Sequence, residues 1–291
     1  MVPMLGAHAG RAHGETGVGG DVTFAIDAEA EEFMEQFLAR EAPETGFYSE
    51  DRGLVAPDGA EQVLVVDPID GTRPALAGLE SCCVSVAAAP LREGVTMAEV
   101  SHGCVVEIRS GAVFLAERGA GLLESPPVVL SANEDLERAF FAYGFRGRPA
   151  LIQATVLAGL IDAASVGGGT FELGSACFDM TRVLTGQLDA YIEPGPRIIA
   201  DVPQALEEFR RVGRGAVLNN SPYDLAAAVL CLEEGGAVVS DAYGRPLGDR
   251  PLLGAGPEFQ MSVVAGANPA LHAKAIAALD EGIAALSRST V

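Results

Sequence analysis

The first regular alternation of apolar and polar residues begins near Asp27. From there Ala30, Phe33, Met34, Phe37 and Leu38 recur at helical spacing. Asp27 stands where an N-cap or first-turn acid would stand, and Glu29, Glu31 and Glu32 suit the positive end of that helix. Residues 1–20 carry no such period and read as a loose lead-in. At 62–66 the pattern changes to a short β-branched run that stops at Asp67-Pro68, as a buried strand ending abruptly would. Further strand patterns fall at 82–88, 103–108, 112–116 and 128–130. Beyond Glu134 strands are expected at 140–143, 188–193, 237–240 and 261–265, and helices at 151–163, 175–185, 224–233 and 269–286. A strand-rich beginning followed by this alternation predicts an α/β fold of packed layers. Gly167-Gly168-Gly169 reads as a loop between two fused halves, about 21–165 and 166–291. It lacks the strand, helix and lysine that a phosphate loop requires.

Length and composition narrow the classes. At 291 residues the chain can bury a substantial core without staples. With 49% hydrophobic and 20% charged residues it is neither disordered nor fibrous. No stretch approaches the 18 or so uninterrupted apolar residues of a membrane span. The formal charge of −21 opposes a nucleic-acid or anionic-membrane partner, both of which demand basic patches. The odd set of five cysteines contains no C-x-x-C and sits in apolar runs, reading as buried thiols in the reducing cytoplasm.

The densest chemical signal is Asp67-Pro68-Ile69-Asp70-Gly71-Thr72, directly after a strand. Ligands collect at strand ends in α/β proteins because the ladder stops there. Pro68 fixes the direction of exit, which lets Asp67 and Asp70 project to one place and frees the Ile69 carbonyl. Gly71 permits close approach of the backbone, and the Gly71 and Thr72 amides can begin a helical turn facing an anion. Hard oxygen donors at this density suit Mg²⁺ with substrate phosphate. The bland rival is an Asx turn closing a strand. Glu50 in Ser49-Glu50-Asp51, Asp224 and Asp27 are each weak alone, since turns and helix starts use such acids routinely.

Taken together, these stretches resemble the inositol monophosphatase family of metal-dependent, lithium-sensitive phosphomonoesterases. The match is carried by Asp21-Val-Thr-Phe-Ala-Ile-Asp27, Tyr48-Ser-Glu-Asp51, Val66-Asp-Pro-Ile-Asp-Gly-Thr72, and Tyr223-Asp-Leu-Ala-Ala followed by Glu234-Gly-Gly236. A weaker stretch is Gly174-Ser-Ala with Leu188-Asp-Ala-Tyr-Ile-Glu193. The resemblance implies an αβαβα sugar-phosphatase fold and a homodimer acting on a small phosphorylated substrate. It implies that Glu50, Asp67, the Ile69 carbonyl, Asp70 and Asp224 hold two or three Mg²⁺. Asp27 acting through Thr72 would activate the attacking water, with Glu50 beside them. The Gly71 and Thr72 amides would hold phosphate oxygens, while Asp70, Gly174, Ser175 and Glu193 would meet the alcohol part.

Three departures stand out. No amphipathic helix pattern precedes the first motif, Tyr223 stands where a Trp is usual, and about 195–221 form an insertion. The insertion contains an expected helix at 203–211 and Arg197, Arg210, Arg211 and Arg214, placed to form a lid or a specificity wall. Arg73 is positioned to meet a second anionic group. A nucleotide or bisphosphate phosphatase is therefore the rival within the class, and a non-catalytic regulatory protein is the rival outside it.

Overall fold

The computed structural model describes residues 5–6, 13–17 and 22–289, so most of the lead-in lies outside the described residues. Strands β1 (His13–Thr16) and β2 (Val22–Phe24) pair antiparallel and feed helix α1 (Ala25–Glu41). The first large sheet follows: β3 (Gly46–Ser49), β4 (Gly53–Val55), β5 (Gln62–Asp70), then short helix α2 (Thr72–Ala77) and β6 (Cys83–Pro90), β7 (His102–Glu107), β8 (Val113–Glu117) and β9 (Gly121–Glu124). Its order is β4-β3-β5-β6-β7-β8-β9, with β3 parallel to β5 and an antiparallel meander from β5 onward.

The second sheet is interleaved with helices: β10 (Phe140–Tyr143), α3 (Ala150–Ala163), β11 (Gly169–Phe171), α4 (Ala176–Leu184) and β12 (Ala190–Glu193). Helices α5 (Gly195–Asp201), α6 (Leu206–Val212) and α7 (Pro222–Glu234) come next, then β13 (Val238–Ser240), β14 (Val263–Gly266) and α8 (Pro269–Ser289). The order is β11-β10-β12-β14-β13, with β10 parallel to both neighbours and β14 antiparallel to both of its own. This sheet takes β10 from before residue 166 and its other strands from after it.

The layers run α–β–α–β–α. Helix α1 covers β5, α4 and α7 lie between the sheets, and α8 packs on β14 with α3 beside it. A helix in a middle layer must be apolar on every side, and every residue from Pro222 to Leu232 of α7 is buried. The main core joins α4 and α7 to both sheets; a second lies under α3 and α8, and a small one under α1. No described helix is long and apolar enough to cross a membrane.

Several expectations are corrected. Strand β5 does not end at Asp67-Pro68 but continues to Asp70, with a register shift that sets Asp67 opposite Ser85 and Asp70 opposite Cys83. Such an irregularity accommodates Pro68, which has no N–H to give the ladder. Residues 128–130 form no strand, and the sheet ends instead with β9. On α1 the helical period holds, yet Phe33 and Phe37 are 66% and 45% exposed; Ile26, Ala30 and Glu31 form the buried side. The inserted segment makes two helices, α5 and α6, joined through a 3-10 turn at Pro203–Ala205.

Candidate active site

The site grows from the irregular end of β5. Asp67 Oδ1 accepts the Ile69 N–H at 2.9 Å, an Asx turn that turns the chain without removing the second carboxylate oxygen. Gly71 has φ +90°, and a Cβ there would lie 2.6 Å from the Ser81 carbonyl oxygen and 2.8 Å from Ser175 Cβ. Only glycine fits both the angle and the space.

Asp70 is fixed by a distant helix. Its Oδ2 accepts the Ser175 hydroxyl and the Cys177 amide, both at 2.6 Å, and its Oδ1 accepts the Ala176 amide at 3.3 Å. Ser175 also caps α4 by accepting the Phe178 amide at 3.2 Å. Asp224 sits in the first turn of α7, where its Oδ2 accepts the Ser221 amide at 2.6 Å. The capping explanation of Asp224 is therefore correct for one oxygen only. Asp67, Asp70 and Asp224 each offer an oxygen within 4.8 Å of the others, and all three are buried.

On the other side stands an acid–hydroxyl pair. Asp27, in the first turn of α1, accepts the Phe24 amide at 3.0 Å on Oδ2 and the Thr72 hydroxyl at 2.9 Å on Oδ1. Thr72 Oγ1 also lies 3.3 Å from the Ile69 carbonyl. One cavity is lined by Glu50, Asp67, Ile69, Asp70, Gly71, Thr72, Arg73, Arg146, Gly174 and Asp224. An adjoining recess adds Asp27, Glu31 and Asp51 to Glu50, Asp67 and Thr72.

Burial dominates the electrostatics. It raises Asp27 to about 6, Glu31 to about 7 and Asp224 to about 7, the last helped by the charge of Asp70. It pushes Glu50 and Asp67 well above the usual carboxylate range, with neighbouring acids adding to the effect. Asp70 is also raised by burial, against the pull of its hydrogen bonds from Ser175, Cys177 and Ala176. A group of carboxylates each held against its own ionisation is a site that gains by sharing a cation.

Two expected substrate residues lie elsewhere. Ser175 stands behind Asp70 and does not line the cavity. Glu193 is 0% exposed, with Oε1 accepting the Gly195 amide at 2.9 Å and Oε2 lying 2.7 Å from Arg148 Nη2. Three of the insertion's arginines are in ion pairs: Arg197, largely buried, with Asp201 and Asp280, and on the exposed surface Arg210 with Glu207 and Arg211 with Glu208. Arg146 was not anticipated. The signal available was a glycine-flanked arginine in Gly144-Phe-Arg-Gly-Arg148, just beyond the end of a parallel strand.

The class this fold and donor set define is the metal-dependent phosphoric monoester hydrolases: converging buried acids beside backbone amides in one cavity, with an acid–hydroxyl pair reaching it from the adjoining recess. A sequence model of the inositol monophosphatase family matches residues 6–284, and the chain belongs to that family. It is 28% identical over 260 residues to a protein named Nus factor SuhB from Xylella fastidiosa, covering 87% of this chain and 80% of that one. It is 34% identical over 202 residues to an inositol-1-monophosphatase from Mycobacterium leprae, covering 65% and 66%. The crystal structure of extragenic suppressor protein suhB from Bartonella henselae shares the fold with a TM-score of 0.67 at 24% identity, over 90% of this chain and 86% of that one.

Proposed function

We propose that this protein is a Mg²⁺-dependent phosphomonoesterase that hydrolyses a small phosphorylated polyol, sugar or nucleotide. The observation that carries the reading is the convergence of Asp67, Asp70 and Asp224 within 4.8 Å beside a Thr72 hydroxyl committed to Asp27. The donor set fits the metal. Mg²⁺ takes hard oxygen ligands and keeps room for water and phosphate; the three acids are all-oxygen and buried, and each has a carboxyl raised by burial. Glu50, Asp67, the Ile69 carbonyl, Asp70 and Asp224 would hold two or three ions. When bound, the metal supplies a lowered pKa for the attacking water and charge stabilisation for the leaving alkoxide.

The chain's own residues do the rest. Thr72 has one hydroxyl proton and gives it to Asp27 Oδ1, so the lone pairs on Oγ1 remain to take a proton from a water in the cavity. Asp27 sits behind as the acceptor that lets Thr72 pass that proton on. The Gly71 and Thr72 amides, at the start of α2, would orient the phosphate oxygens. Ser175 and the first amides of α4 hold Asp70 in a single orientation, which makes its ligand geometry independent of substrate.

The five cysteines are unpaired, in keeping with a cytoplasmic enzyme, and the family likeness extends the reading to a homodimer. A second reading, a regulatory protein, is favoured by one observation: relatives such as that of Xylella fastidiosa bear the name Nus factor SuhB. The intact set of acids favours the catalytic reading over that one. Phosphate release from inositol 1-phosphate, fructose 1,6-bisphosphate, an adenosine bisphosphate and nucleoside monophosphates, with and without Mg²⁺, tests the proposal. Mg²⁺-dependent release from at least one is expected; none from any would move the reading to regulation.

A further inference from the structure

Glu50 is the one expected metal ligand that neither β5 nor the start of α7 supplies. It lies in the turn Glu50-Asp51-Arg52 that joins β3 to β4, closing a hairpin in which Ser49 pairs with Gly53. A hairpin tip is ordinarily among the more mobile parts of a fold, whereas a metal ligand has to stand at a set place. What holds this turn is helix α1, with help from β2.

Asp27, Glu31 and Glu35 follow one another at intervals of four residues and so share one side of α1. Asp27 accepts the Thr72 hydroxyl at 2.9 Å. Glu31 is hydrogen-bonded by the Ser49 hydroxyl and the Asp51 amide, the residues on either side of Glu50. Glu35 Oε1 lies 2.9 Å from Arg52 Nε. From β2, the Thr23 hydroxyl donates to Asp51 Oδ1 at 2.6 Å. The helix is itself anchored by Ile26 and Ala30, which pack in one small core with Ile69, Ala75 and Leu76. One rod therefore touches the Asp27–Thr72 pair, the core around Ile69 and both flanks of Glu50.

Glu31 is the member of this series that the mechanism above does not use. It is 3% exposed, and its Oε2 is buried with no hydrogen-bond partner among the described residues. With Asp27, Glu50 and Asp51 it lines the recess beside the cavity. The buried side of a helix packed on a sheet calls for an apolar residue, and a half-satisfied carboxyl there costs stability. The exposed pair of Glu35 and Arg52 is worth little, so the grip on the turn depends on Glu31. We propose that Glu31 is a positioning residue for the metal site: by holding the residues on both sides of Glu50, it fixes that ligand relative to the Asp27–Thr72 pair. The inference rests on the metal-dependent phosphatase reading above. It gives α1 a single task, to keep the proton acceptor and the outlying metal ligand in one frame.

Isothermal titration calorimetry of the full chain with Mg²⁺ tests this without any substrate, at about pH 8 so that the ligand carboxyls are free of protons. Glu31→Ala is expected to raise the Kd for Mg²⁺ roughly 10- to 100-fold, the range for losing a partner behind a metal ligand. Glu31→Gln keeps the size and one accepting oxygen, and is expected to raise it only about 2- to 10-fold, as for the loss of one hydrogen bond. A residue that merely supports the fold would lower Tm in EDTA and leave Kd unmoved. If the Ala variant fails to fold, the Gln variant carries the comparison, and an unchanged Kd there overturns the proposal. Wild-type affinity in both variants overturns it as well. So does a loss in Gln as large as in Ala, which would make Glu31 a ligand in its own right. Each of these leaves the phosphatase reading intact. No binding of Mg²⁺ by the wild-type protein removes that reading, and the positioning role with it.

Discussion

Asp224→Asn takes one charge out of the buried acids while leaving the cap of α7 able to form, because an amide oxygen can accept the Ser221 N–H as the carboxylate does. Burial, with the charge of Asp70, holds the Asp224 carboxyl at about 7 instead of 3.8. At roughly 1.4 kcal/mol per pH unit, its ionised form costs the metal-free fold about 4 kcal/mol. Part of that is repulsion shared with the other acids, so the variant should gain about 2–4 kcal/mol in EDTA at about pH 8, or roughly 5 °C or more in Tm. The sign of the pH effect follows. A carboxyl raised in the fold contributes stability that is fully present below its unfolded value and lost as pH rises through its folded one. For Asp224 the window runs from 3.8 to about 7, and for Asp27 from 3.8 to about 6. Wild-type protein in EDTA should therefore melt higher at about pH 6 than at about pH 8, and Mg²⁺ should stabilise it more at the higher pH, where the acids are free of protons. His272 works the other way, since burial lowers its pKa and its contribution is lost as pH falls. It acts equally with and without Mg²⁺, so the difference between the two series cancels it. Circular dichroism melts of both proteins, in EDTA and in Mg²⁺, give the answer. A variant that melts lower than wild type in EDTA at about pH 8, or that responds to Mg²⁺ as wild type does, would refute the reasoning.

Asp27→Asn removes the proton acceptor behind Thr72 and should lower kcat about 10²- to 10⁴-fold; an unchanged Mg²⁺-induced rise in Tm would show that the metal acids are untouched, whereas retained kcat would exclude Asp27 from proton transfer. Gly71→Ala places a methyl group against Ser81 and Ser175 at a positive φ and should destabilise by about 1–3 kcal/mol or more with loss of activity, read by urea unfolding and phosphate release. Arg148→Ala leaves Glu193 as an uncompensated buried charge and should destabilise by about 3–5 kcal/mol, again by urea unfolding; a change within about 0.5 kcal/mol would mean the pair does not organise the loop after β10.

What the sequence determined by itself is local. Within six residues, Asp67 to Thr72, a proline, two acids and a glycine marked the site, and the structure adds that the Asx turn set against that reading is present as well, with Gly71 at a positive φ. The helix at Asp224 was equally legible, although it starts at Pro222 with Ser221 as its N-cap and Asp224 closing the capping box three positions on. The layered architecture followed from the change of hydrophobic period along the chain.

Other features were set by partners far away in sequence. The extent of β5 beyond Pro68 depends on its pairing with β6, and the orientation of Asp70 depends on the start of α4, more than a hundred residues on. The exposure of Phe33 and Phe37 reflects which side of α1 faces β5, a choice that periodicity alone leaves open. Glu193 ends a strand as an available acceptor would, yet the loop after β10 brings Arg148 onto it and sets Arg146 among the residues lining the cavity. A charge reads the same in sequence whether it faces solvent, a substrate or another charge. Which of these it meets is decided by the packing of distant segments, because burial and ion pairing are properties of that packing and not of the residue.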